Sequence, residues 1–119
     1  MSFQFNLFTR PGAVELAQAN RATFTDEFLE YLPANLHVYE AFRRETLRVI
    51  ARGFKHYSAR TIIEVLRHNS ALEQVGGPWK LNDHNTPYLA RLFDLEYPEH
   101  IGLFEYRATK AVERDRETA

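Results

Sequence analysis

The chain contains no cysteine, so disulfides, thiolate metal sites and cysteine nucleophiles are excluded. It also lacks the long apolar run of about 20 residues that a membrane helix needs. Its first residues, MSFQFNLFTRPGAVEL, have neither a basic start nor an unbroken apolar segment, so no secretory signal is expected. These absences together point to a cytoplasmic protein without membrane partners. Motifs of common chemistry are missing too: no Gly-rich phosphate loop, no zinc-finger spacing and no Gly-x-Ser-x-Gly elbow. Gly76-Gly77-Pro78 has no lysine or helix context to make it a phosphate loop. No cofactor and no enzymatic activity are expected.

What is present suits one folded domain of 119 residues. Aromatics are plentiful, with nine Phe, six Tyr and one Trp, each able to bury a large area. Net charge is −1, but it is unevenly spread. Residues 43–67 carry seven Lys and Arg against two Glu, a net +5, while the segments on either side each carry −3. A basic middle between acidic flanks is a localised electrostatic footprint.

The spacing of apolar residues predicts mostly helices. Ala13 to about Asn20 is rich in helix formers. Thr25 reads as the N-cap of a helix beginning Asp26-Glu27, whose acids complement the helix dipole, with Pro33 ending or kinking it. Asn35 reads as the cap of the longest helix, Leu36 to about Arg52, with Val38, Tyr39, Phe42, Leu47, Ile50 and Ala51 facing the core. Gly53 falls where a left-handed residue closes a helix. Ser58 caps the next helix, Ala59 to about Ala71, with Ala59, Ile62, Ile63, Leu66 and Ser70 on one side. Thr86-Pro87 starts a helix that runs to about Glu96. Trp79–Asn82 and Ile101–Arg107 alternate and are expected to pair as a short hairpin or wing. The expected fold is therefore mainly α: a small helical domain with a helix-turn-helix-like unit and a two-stranded β element. Residues 1–34 form an arm and helical extension, 35–107 the core, and 108–119 a charged, fraying tail.

Several phrases carry a resemblance: N-x-H-V-Y-E-x-F at 35–42, Y-S-A-R-T-I-I at 57–63, K-L-N-D-H at 80–84, P-Y-x-A-R-L-F at 87–93, and P-E-H-x-G-x-F-E-x-R at 98–107. With the A-R-G of 51–53, they are similar to a widespread family of small uncharacterised bacterial and phage-encoded proteins. The resemblance spans 35–107, leaves the first 34 residues outside it, and departs at His68, where many such proteins have Trp. It implies a shared fold and a phage or prophage setting, and no activity.

Function is read from the unit 36–70. A helix ending at Gly53, a turn over Phe54–Tyr57 and a second helix from Ser58 match the helix-turn-helix outline, whose second helix enters the major groove. Arg60, Thr61, Glu64 and Arg67 are then candidates for base contact, and Arg44, Arg48, Arg52 and Lys55 for phosphate contact. Duplex DNA is the expected partner. The bland counterpart is an αα-hairpin with a solvated basic face, and cations suit a helix C-terminus whatever the partner. The alternative function is a non-enzymatic protein-interaction module, either binding a host factor or forming a homodimer, to which exposed N-terminal aromatics would contribute. Five histidines include none closely spaced with another. Asp83 and Asn85 are better explained as turn caps than as metal ligands, so no metal site is expected.

Overall fold

A computed structural model describes residues 12–73, 81 and 83–106. Among these are five α-helices: α1 (Ala13–Ala19), α2 (Asp26–Ala34), α3 (Leu36–Ala51), α4 (Ala59–Glu73) and α5 (Thr86–Glu96). Short 3-10 turns lie at Arg21–Thr23, Asp83–Asn85 and Pro98–His100. No described residue is in a strand.

Helix α5 is the centre of the assembly. It packs against α1, α3 and α4, while α2 joins α1 to α3, and α3 lies along α4. A helix touched from several sides must be apolar around most of its circumference. Accordingly α5 buries Tyr88, Leu89, Ala90, Leu92 and Phe93 together with Glu96. The core groups these with Phe24, Phe28 and Leu32 from the α2 region, Tyr39 and Phe42 of α3, and Ile62, Ile63 and Leu66 of α4. Its aromatic rings interlock: Phe24 stacks on Phe28 at 5.2 Å, and Phe93 on Tyr97 at 4.8 Å. Phe104 leans on Phe42 at 5.8 Å and meets Phe93 edge-on at 6.0 Å. Each fully buried Phe contributes roughly 1.5–3 kcal/mol relative to an exposed one.

Helix boundaries follow local chemistry. Thr25 Oγ1 accepts the Phe28 amide at 3.1 Å, and Asp26 and Glu27 occupy the first turn of α2. Ser58 Oγ likewise accepts the Thr61 amide at 3.3 Å. Gly53 has φ +94°, the left-handed residue expected after α3, and nothing lies within 4 Å of where its Cβ would be. Pro33 does not stop α2, which continues through it to Ala34.

Asn35 differs from expectation. It precedes α3 but makes no side-chain bond to that helix. Its Nδ2 donates backwards to the Tyr31 carbonyl at 2.9 Å, so it closes α2. One residue separates the two helices, and its amide satisfies the carbonyl end rather than the amide end. Asn20 does the same after α1, donating to the Leu16 carbonyl at 2.9 Å. Ala51, expected on the buried face of α3, is exposed, while Leu47 and Ile50 are half-buried.

The wing is corrected where it can be seen. Ile101–Tyr106 forms a turn and irregular chain, not a strand. Gly102 has φ +110°, and the Leu103 amide donates to the His100 carbonyl at 3.2 Å. Leu103 and Phe104 are adjacent and both buried, which a strand with alternating faces does not allow. Of the expected partner strand Trp79–Asn82, only Leu81 lies within the described residues, and it is in no regular element. The arm at 1–11, the Gly76-Gly77-Pro78 loop, and Arg107 with the charged tail lie outside them.

Candidate nucleic-acid interface

The arginine stripe of α3 faces solvent. Arg44, Arg48 and Arg52 are exposed, as the i, i+4, i+8 spacing requires when Val38, Tyr39, Phe42 and Val49 hold the opposite face in the core. Arg48 has a single loose partner, Glu45 at 3.5 Å, on a side chain 72% exposed, so little stability is tied to that pair. Arg43, next to this stripe, turns inward to Glu96 at 3.0 Å.

The stripe continues across the α3–α4 connection. Lys55 and Arg60 are exposed, and the side chains of Arg44, Arg52, Lys55 and Arg60 have no hydrogen-bond or ion-pair partner among the described residues. The connection is pinned from below. The Tyr57 amide donates to the Leu103 carbonyl at 2.9 Å, and His56 Nδ1 lies 3.2 Å from the Gly102 carbonyl. Residues 52–58 form this link, longer than the three- or four-residue turn of a helix-turn-helix unit.

The proposed base-contact set divides. Arg60 and Thr61 open α4 and face solvent. Arg67 is committed elsewhere. Its guanidinium donates to Glu64 Oε1 at 2.6 Å, the Leu81 carbonyl at 3.1 Å and Asp83 Oδ1 at 3.2 Å, with Asp83 the leading cause of its raised pKa. Arg67, also bonded to Glu64 of its own helix, thus ties α4 to the chain entering α5. Asp83 takes a cation rather than capping a turn.

Two tyrosine–carboxylate pairs anchor α5, one buried and one at the surface. The Tyr39 hydroxyl, wholly buried, donates to Glu96 Oε1 at 2.6 Å. Burial first, and then this bond, raise the Tyr39 pKa far above the ordinary phenol value. Two residues earlier on α5, the Tyr106 hydroxyl donates to Asp94 Oδ2 at 2.5 Å while Arg91 lies over the Tyr106 ring at 4.4 Å. Desolvation raises the Asp94 pKa, against the opposing pull of the Tyr106 bond and Arg91.

A cavity of about 860 Å³ opens where the beginnings of α2, α4 and α5 converge, closed on one side by residues 104–106. Thr25, Ser58 and Thr86 were each legible as helix starts, but nothing in the linear chain says that three starts share one wall. Arg60 belongs both to this cavity and to the exposed basic surface.

No group of three or more His, Asp or Glu able to hold a metal occurs among the described residues, and none of their helices is long and apolar enough to cross a membrane. No family model matches the chain, and searches of curated proteins and of solved structures return no match.

Proposed function

We propose that the protein binds nucleic acid through the exposed basic ridge formed by Arg44, Arg48 and Arg52 of α3, Lys55 of the connection, and Arg60 at the start of α4. The observation that carries this reading is that four of these five cations have no partner among the described residues and the fifth has only a 3.5 Å contact. Thr61 lies beside Arg60 and is the neighbouring candidate for base contact. Arg67 and Glu64 are left out of the surface because each is occupied by the other. Phosphate contacts position a protein without reading sequence, so the ridge explains affinity, and Arg60 with Thr61 any preference for sequence. The phage or prophage setting remains what the sequence resemblance proposes.

The test is duplex DNA binding across a salt series. Five phosphate contacts give a slope of log affinity against log salt of about −4.5, and replacing one ridge arginine by Ala reduces that slope by about 1. Absence of binding at low salt, or a flat salt response, removes the proposal.

A protein-interaction module is the second reading. It is favoured by Phe54 and Ile101, 52% and 66% exposed, on two segments joined by the bonds from His56 and Tyr57. Retention of a protein partner after nuclease treatment, together with loss of that partner in Phe54→Ser, distinguishes it.

A further inference from the structure

The cavity at the converging helix starts carries a proposal of its own. Its volume, about 860 Å³, lies within the range of small-molecule sites. Its lining is mixed: a cation, two carboxylates, aromatic rings and a buried amide.

Three observations define what it would hold. The first is Arg60, which lines the cavity without a partner among the described residues. It sits in the first turn of a 15-residue helix. Ser58 takes the Thr61 amide there, and the first amides of a helix have no partner within it. That end of the cavity favours an anion with several oxygens. The second is Asn85, at the start of α5. It lines the cavity and is only 3% exposed, yet its side-chain amide makes no capping bond and no other hydrogen bond among the described residues. Asn85 is thus a polar group on the cavity wall that a ligand can meet. The third is the pair of carboxylates, Glu27 and Glu105, in the same lining. They disfavour a bare phosphate ion, but accept hydrogen bonds from hydroxyl or amino groups. Tyr57 and Phe104 supply apolar ring surface to the wall.

We propose that this cavity is a mononucleotide site, with the phosphate held by Arg60 and the first amides of α4, Asn85 matched by the ligand, and the sugar hydroxyl or base amino groups turned to Glu27 and Glu105. The proposal stands on the cavity and does not require the basic ridge to bind duplex DNA.

Calorimetric titration of the full chain with adenosine and uridine 5′-monophosphates, the corresponding nucleosides, and inorganic phosphate tests it. The expected result is saturable mononucleotide binding, with nucleoside and inorganic phosphate each weaker by about tenfold or more, the loss set by one charge-assisted hydrogen-bonded group. Arg60→Gln, on an exposed position, should weaken the mononucleotide about tenfold. Asn85→Asp keeps the side-chain shape but replaces the amide donor on the cavity wall by a negative charge unfavourable to an anionic ligand, and should weaken it comparably. Should Asn85→Asp fail to fold, Arg60→Gln alone decides. No mononucleotide binding, or equal affinity for inorganic phosphate, or binding indifferent to these substitutions, overturns the assignment. A chain that binds mononucleotide and ignores duplex DNA upholds the cavity and removes the ridge. The reverse pattern does the opposite.

Discussion

Replacing Glu96 by Ala tests how the core is pinned together. Glu96 is 7% exposed and stands at the last turn of the central helix, 57 residues from Tyr39 in sequence. Its two oxygens are divided between Tyr39, at 2.6 Å, and Arg43, at 3.0 Å. Removing the carboxylate leaves the Tyr39 hydroxyl buried with no acceptor, which costs about 1–3 kcal/mol. The Arg43 contribution is smaller than for a fully buried pair, about 3–5 kcal/mol when broken, because the Arg43 side chain is 29% exposed and can turn to water. The total expected for Glu96→Ala is about 3 kcal/mol, a fall of roughly 10–15 °C in Tm for a domain of this size. Tyr39→Phe removes the donor and leaves Glu96 its arginine, so the expected cost is lower, about 1.5 kcal/mol. In the double variant no phenol is stranded, so the two costs should not add. A coupling of about 1 kcal/mol or more is expected, against a limit of about 0.5 kcal/mol for independent sites. Urea unfolding of the four proteins measures it. Additive costs, or a Glu96→Ala penalty under about 1 kcal/mol, would refute the claim that this bond joins α3 to α5 energetically.

Two further outcomes are expected. Thr25→Ala should cost about 1 kcal/mol by loss of the α2 cap, and Ser58→Ala less, since its 3.3 Å bond is longer and solvent-exposed; thermal melts compare them. For Asp94, burial raises the folded-state pKa above its ordinary value of 3.8. The folded state therefore holds this proton more tightly than the unfolded chain, so the stability tied to Asp94 is fully present below pH 3.8 and is lost as pH rises through the folded-state value. Asp94→Asn should accordingly gain stability relative to the parent as pH is raised from about 3 upward. A difference that is constant with pH would show that Asp94 is not desolvated.

The parts of this fold visible in the sequence are those governed by neighbours along the chain. Thr25, Ser58 and Gly53 act within a few residues of themselves, and their roles follow from side-chain reach and the left-handed turn. The parts that were hidden depend on what two helices do to one residue. Asn35 has a side chain suited to either helix it borders, and only the geometry of the α2–α3 junction decides that it serves Tyr31. Ile101–Tyr106 alternates well enough to imitate a strand, yet its Gly102 is a left-handed pivot that lets Leu103 and Phe104 both turn inward, where Phe104 meets Phe42 and Phe93. Glu96 reads as a helix-end carboxylate and becomes a buried acceptor only because α3 brings Tyr39 and Arg43 to it.

The same distinction sorts the arginines. Seven cations in 43–67 look equivalent as a charge run, but a cation's availability depends on the acids that folding delivers to it. Glu96 draws Arg43 inward, and Asp83, 16 residues away in sequence, fixes Arg67 with help from Glu64. The five left at the surface follow one path, along α3, over the connection and onto the first turn of α4, where Arg60 also enters the cavity wall. The fold has thus separated the run into two cations held inward or across elements by acids and five that stay exposed. Arg60 is then the position where the two proposals meet: its loss should lower the salt slope for duplex DNA by about 1 and weaken mononucleotide binding, whereas loss of Arg44 should affect the salt slope alone.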